Sequence, residues 1–204
     1  MNAPVAAESG RTIADIGEGL RYCGHFLPEG PANRLLQDLL REVPWQQSTI
    51  RIFGRSVLEP RLSCWMGETE AVYRYSGTEF APKPWIASVV SLRRAVEDCS
   101  GQRFNSVLLN FYRDGRDAMG WHSDDEPELG DRPVIASVSL GAERRFLLRE
   151  RRKGARSRAL TLGHGSLLLM HGDLQQRCQH ALPRTLKPVD ARVNLTFRNI
   201  LQAR

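Results

Sequence analysis

The side chains best able to do chemistry here cluster in Gly-Trp-His-Ser-Asp-Asp-Glu, residues 120–126. His122 and Asp124 stand one residue apart. In extended backbone that spacing sends both side chains to the same side. An imidazole and a carboxylate aimed at one point can fill two positions of a divalent metal. A third ligand must come from elsewhere in the chain. Of the five histidines, three lie downstream: His164, His171 and His180. Two histidines and one carboxylate on one face of an ion leave positions open, which suits non-haem Fe(II) working with oxygen.

The elements that must position this cluster are strands. Phe104 to Tyr112 reads as a buried strand, short and rich in branched and aromatic residues, closed by Asp114-Gly115. Alternation puts Leu108, Asn110 and Tyr112 on one of its faces. Residues 192–198, Arg-Val-Asn-Leu-Thr-Phe-Arg, alternate strictly. Val193, Leu195 and Phe197 face one way; Arg192, Asn194, Thr196 and Arg198 face the other. Two arginines on one strand face are costly to bury unless an anion pairs with them. A dicarboxylate would serve, because a guanidinium grips carboxylates in bidentate fashion. A solvent-facing edge strand would carry the same pattern, and alternation alone does not separate the two.

Before this core, Leu35, Leu36, Leu39, Leu40 and Val43 recur at helical spacing within a helix from about Pro31 to Val43. A second helix is expected from Pro82 to about Cys99, ended by Gly101. Phe53-Gly54-Arg55 marks a loop tip, either a wedge into stacked bases or an ordinary hairpin. Tyr73 and Tyr75 share a strand face, as a stacking surface for a base or as core aromatics. Residues 133–141, 144–150, 160–162, 166–170 and 191–200 read as further strands, and 171–180 as a polar stretch. After residue 104 strands follow one another at short spacing without helices. The expected fold is therefore mostly β with flanking helices, an antiparallel sandwich or jelly roll with both helices outside one sheet.

Length and composition set the bounds. The 204 residues suit one domain, expected over 20–204, after a poorly ordered tail at 1–19 rich in small residues. Helices and a recognition region are expected at about 20–103, and the jelly-roll core at about 104–204. No apolar run is long enough for a membrane helix, and the N-terminus lacks the pattern of a secretory signal. Four scattered cysteines read as reduced thiols, so a cytoplasmic protein is expected. A net charge of +6 permits a polyanionic partner. The basic set is 26 Arg to 3 Lys, however, which a GC-rich genome could produce by itself. Residues 151–158, Arg-Arg-Lys-Gly-Ala-Arg-Ser-Arg, are a solvated loop or a site of phosphate contacts.

Taken together, FNSVLLNFYRDG, GWHSDDE, PVIASVSLGAERRF, HGSLLLMHGD, QHALPRT and ARVNLTFR resemble the AlkB family of Fe(II)- and 2-oxoglutarate-dependent dioxygenases, over roughly residues 50–200 and in family order. The resemblance implies a double-stranded β-helix (jelly-roll) core, with Fe(II) as cofactor and 2-oxoglutarate and O2 as co-substrates. It implies His122, Asp124 and His180 as iron ligands, leaving bland roles to His164 and His171. Asn110, Tyr112, Arg192, Thr196 and Arg198 correspond to the 2-oxoglutarate site, with the arginine pair holding the far carboxylate. Tyr73 and Tyr75 match the base-stacking strand, Phe53-Gly54-Arg55 the duplex-probing loop, and Asp125 and Glu126 the base-recognising carboxylates. Arg61 also fits the pattern. The implied activity is oxidative demethylation of 1-methyladenine and 3-methylcytosine in alkylated DNA, with release of formaldehyde, succinate and CO2. The same chemistry on RNA, a protein or a small molecule is the alternative. A monomer is expected. Cys178, two residues before His180, stands where the family commonly has an aromatic.

Overall fold

A computed structural model describes residues 12–52, 55–71, 73–75 and 78–201, and gives no account of side chains within 50–55 and 72–80. In chain order the elements are β1 (Ala14–Gly17), β2 (Leu20–Cys23), α1 (Glu29–Glu42), β3 (Thr49–Ile52), β4 (Arg55–Leu58), β5 (Leu62–Gly67), β6 (Tyr73–Tyr75), β7 (Thr78–Phe80) and α2 (Ala87–Ser100). Then follow β8 (Ser106–Tyr112), β9 (Met119–His122), β10 (Ile135–Gly141), β11 (Arg144–Glu150), β12 (Arg158–Leu162), β13 (Ser166–Met170), α3 (Leu174–Arg177), β14 (Cys178–Leu182) and β15 (Arg192–Arg198). A 3-10 turn, Pro127–Leu129, lies between β9 and β10.

Two antiparallel sheets build the sandwich. The larger runs β1-β2-β13-β10-β15-β8-β5 and the smaller β12-β11-β14-β9. Two hairpins, β3-β4 and β6-β7, stand outside them. β15 lies between β10 and β8, with Leu195 opposite Val138 on one side and Leu109 on the other. It is therefore a central strand, and the edge-strand alternative fails. Its apolar residues Val193, Leu195 and Phe197 are fully buried against the cluster that includes Leu39 of α1 and Val89, Leu92 and Val96 of α2. The helices thus cover the outer face of the larger sheet, as their apolar spacing requires. The polar face of β15 turns inward, toward the smaller sheet. A second apolar cluster, including Leu148, Leu162, Leu168 and Met170, fills the space between the sheets.

Several expectations need correction. Residues 14–17 are not tail: they form β1, which pairs with β2, and β2 adds to β13. The jelly-roll core is not confined to 104–204 either, since β2 and β5 both join the larger sheet. α2 begins at Ala87 rather than near Pro82. Pro84 biases Lys83 toward extended backbone, and the Lys83 amide donates to Trp65 while its carbonyl accepts from Gly67. The expected polar stretch at 171–180 holds α3 and the start of β14. Cys178 and His180 are among the buried residues of that strand, and polar-looking side chains at core positions hide the alternation. The Gly101 stop is as expected: it takes the left-handed conformation, φ 69°, that closes α2.

Gly141 ends β10 opposite Arg192, with φ 85°. A Cβ there would collide with the Ala191 carbonyl. Gly141→Ala combines a strained φ with this backbone clash. It is expected to destabilise the fold by more than about 1 kcal/mol, read as a lower urea midpoint; an unchanged midpoint would show that the turn yields freely.

Candidate active site

The two sheets enclose a cavity. Its walls come from both sides of the sandwich. Leu108, Asn110 and Tyr112 of β8 and Arg192, Asn194, Thr196 and Arg198 of β15 line it from the larger sheet, and Met119, His122, Phe146 and His180 from the smaller. The faces expected from alternation are the faces that meet the cavity. Antiparallel pairing brings Asn194 opposite Asn110 and Arg192 opposite Tyr112.

His122 and His180 are partners across the β9-β14 ladder, which brings their rings to 4.1 Å, centroid to centroid. Asp124 follows β9. Ligand atoms of His122, Asp124 and His180 lie within 4.8 Å of one another. The Gly120 carbonyl accepts from Nδ1–H of His122 at 2.9 Å, which leaves Nε2 with its lone pair free for a metal. Phe146 stacks against His180 at 5.2 Å. Arg198 donates to Oδ1 of Asp124 at 2.6 Å. The other oxygen, Oδ2, is buried without a hydrogen-bond partner among the described residues. An orphaned carboxylate oxygen beside two imidazoles is what a divalent cation would satisfy. The three side chains fit Fe(II).

Charge states agree with that fit. Burial, then the neighbouring His122, pushes His180 down to about 3, and burial also lowers His122. Burial works to raise Asp124, but Arg198 and the two imidazoles outweigh it and hold the carboxylate at about 2. Near neutral pH the cluster is two neutral imidazoles and one carboxylate, ready to bind a metal without losing protons.

The other end of β15 differs. Arg192 is 1% exposed, and burial lowers it to about 10, still charged near neutral pH. Its Nη1 donates to the carbonyls of Ala142 and Leu162 at 3.1 and 3.0 Å, and its Nη2 to Ser139 Oγ at 2.7 Å. Nε–H has no partner among the described residues. A buried guanidinium with an unanswered donor in a cavity wall fits a carboxylate ligand. Arg192 and Arg198, expected to grip one carboxylate together, both line the cavity but from opposite ends of β15. Six residues of strand, on the order of 20 Å, separate them, and Arg198 is engaged with Asp124. They serve opposite ends of the cavity.

Asn110 is held by Arg61, whose Nε donates to its Oδ1 at 2.8 Å and whose Nη2 pairs with the buried Glu59 at 2.8 Å. The Thr196 hydroxyl donates to Oδ1 of Asn194. Asn194 lines the cavity as well; its place on the polar face was the available signal. Asp125 is exposed and pairs with Arg151 at 2.5 Å, while Glu126 immediately precedes the 3-10 turn. Phe53 and Gly54 lie outside the described residues. Arg55, Tyr73 and Tyr75 are placed as backbone of β4 and β6, and their side chains also lie outside. His164 accepts from the Gly141 amide at 2.8 Å. It is a turn residue, not a ligand. Ser139, Gln175 and Phe146 support the site with no motif to announce them.

A pH dependence follows. The unfolded imidazole of His180 protonates near 6.5, the folded one only near 3. A depressed folded pKa contributes stability that is present above about 6.5 and lost as pH falls toward 3. Metal-free protein is expected to lose stability across that window, at up to about 1.4 kcal/mol per pH unit. His180→Gln should flatten this limb in denaturant titrations at stepped pH; an identical limb in the variant would place the loss elsewhere.

Comparisons with known proteins agree with this geometry. Residues 19–198 match the sequence profile of the 2OG-Fe(II) oxygenase superfamily. The alpha-ketoglutarate-dependent dioxygenase alkB homolog 3 of Rattus norvegicus is 40% identical over 184 residues, covering 86% of this chain and 62% of that protein. Across four mammalian relatives of that name the chain spans 62–65% of their length. The DNA oxidative demethylase ALKBH2 of Homo sapiens is 39% identical over 206 residues, covering 96% of this chain and 78% of that protein. The solved structure of OsALKBH1 superposes with a TM-score of 0.66 at 17% identity, over 92% of this chain and 100% of that one, and so shares the fold. With its sheets, its His-Asp-His cluster and these relatives in view, the chain belongs to the AlkB family of the 2OG-Fe(II) oxygenase superfamily.

Proposed function

We propose that this protein is an Fe(II)- and 2-oxoglutarate-dependent oxidative demethylase of N-alkylated bases in DNA, with 1-methyladenine and 3-methylcytosine as substrates. The observation that carries the reading is a single buried cavity with His122, Asp124 and His180 near Arg198 at one end and an unanswered Arg192 donor at the other. Similarity to the DNA oxidative demethylase ALKBH2 supports the choice of substrate. The net charge of +6 fits a polyanionic partner.

In this reading His122, Asp124 and His180 hold Fe(II). Arg192 receives the far carboxylate of 2-oxoglutarate, with Tyr112 beside it and Asn110 and Thr196 along the same wall. Iron and 2-oxoglutarate supply, with O2, the oxidation of an N-methyl carbon, which leaves as formaldehyde while the co-substrate becomes succinate and CO2. The protein does the rest. Arg198 keeps Asp124 ionised and turned toward the imidazoles. Arg61 fixes the orientation of Asn110. Leu108, Met119, Phe146 and Leu162 keep the cavity wall apolar, which limits water at the oxidising centre. The methyl groups of these lesions lie on the base-pairing edge, so the base must leave the stack. That step costs least where methylation has already blocked pairing. One of Asp125 and Glu126 accepts from the exocyclic amine, Tyr73 and Tyr75 stack on the base, and Phe53-Gly54-Arg55 engages the strand. The enzyme acts as a monomer.

The test is mass spectrometry of a DNA oligonucleotide bearing one 1-methyladenine, single-stranded and annealed, with Fe(II), ascorbate and 2-oxoglutarate. Loss of the methyl group only when 2-oxoglutarate is present is expected, and Asp124→Asn is expected to abolish it. Succinate formed without demethylation of DNA would move the substrate to RNA, a protein or a small molecule. Arg192→Lys keeps the charge and loses the planar contact. It is expected to raise KM for 2-oxoglutarate about tenfold or more while the protein still binds metal; an unchanged KM would reassign Arg192.

A further inference from the structure

Gln175 lies in α3, five residues before the third histidine, and is only 1% exposed. Its Oε1 accepts the main-chain N–H of Asp124 at 3.0 Å, and its Nε2 faces Met170 Sδ at 3.5 Å. An amide in this place is costly. Leucine or methionine would fill the same space without desolvating two polar atoms. The amide must therefore do something that packing does not require.

The local backbone shows what that is. β9 ends at His122, so the Asp124 N–H has no ladder partner. Buried and unanswered, that N–H would leave the backbone of Asp124 free to turn or be costly to bury. Gln175 answers it from α3. One residue earlier, the Ser123 hydroxyl donates to the Cys178 carbonyl at 2.7 Å. Both bonds end in residues 175–178, the segment that runs directly into His180. A third tie comes from outside: Arg151 donates to the Gln175 carbonyl at 3.1 Å while holding Asp125 at 2.5 Å. The segment carrying Asp124 and the segment carrying His180 are thus cross-braced.

We propose that Gln175 is a positioning residue that presets the Asp124 carboxylate for its metal, so that the ligand geometry exists before the ion arrives. Side chains that orient metal ligands commonly change metal affinity about tenfold to a hundredfold when removed. This role rests on the His122–Asp124–His180 ligand set, but not on the nucleic-acid substrate proposed above.

The test uses Gln175→Met, close in volume and lacking the acceptor oxygen. Metal-free wild type and variant are titrated with Mn(II), with free ion read by electron paramagnetic resonance and fold by circular dichroism. The expected result is an Mn(II) Kd raised about tenfold or more in a folded variant. A Kd within about twofold of wild type would overturn the role, because a merely structural glutamine would alter stability and leave the ion's affinity alone. Wild type supplies a second reading that holds even if the variant fails to fold. The Asp124 amide, followed by hydrogen exchange in metal-free protein, is expected to exchange as slowly as amides of β15. Exchange as fast as in the exposed 152–154 turn would also overturn the role. Wild type that binds no Mn(II) would remove the ligand set itself, and the role of Gln175 with it.

Discussion

Everything in this molecule depends on burying one polar strand face at the centre of a sandwich. β15 places Arg192, Asn194, Thr196 and Arg198 where an ordinary sheet protein would place valine and leucine. Each must be answered, or the sheets would not close. The answers come from neighbouring elements: Ser139 and two carbonyls for Arg192, Ser137 and the Val138 carbonyl for Asn194, Asp124 for Arg198. The opposite face of the strand holds the helices through Val193, Leu195 and Phe197. The element that carries the polar wall of the cavity also anchors the apolar cluster beneath the helices.

The balance of charges follows from that arrangement. A lone carboxylate as deeply buried as Asp124 would protonate and lose its value as a ligand. Arg198 prevents this from one side and leaves Oδ2 exposed to the imidazoles on the other. His180, packed on Phe146, is kept neutral by the same burial that threatens the aspartate. One environment therefore sets both side chains in their metal-binding forms, because burial disfavours charge and only the aspartate has a cation beside it.

Much of the site was legible in the sequence where period-two alternation applies. Leu108, Asn110 and Tyr112, and the four polar residues of 192–198, went to the predicted faces because a strand leaves a side chain no other choice. The outward position of the helices followed from the apolar spacing of α1. His180 could not be singled out from His164 and His171 without the resemblance, because its strand is five residues long and its inward positions include a cysteine and a histidine. β1 was missed because Ala14 to Gly17 is too short a run to show a period; pairing with β2 holds it, with Ile16 packed against the second apolar cluster. Gln175 and Arg61 act through single hydrogen bonds across the fold, and one chain's sequence does not encode that as a local pattern. Arg192 and Arg198 both line the cavity, but only Arg198 is paired with Asp124, which the strand pattern alone does not tell.

Strict alternation in β15 also limits how this protein can change. Substituting one of its residues alters a single contact. Adding or deleting one residue would exchange the faces of everything beyond it, turning phenylalanine and leucine into the cavity and arginine into the helices. Core and site would fail in the same event. The length of this strand is therefore more tightly constrained than the identity of most residues in it, and tolerated insertions belong in the loops that flank it.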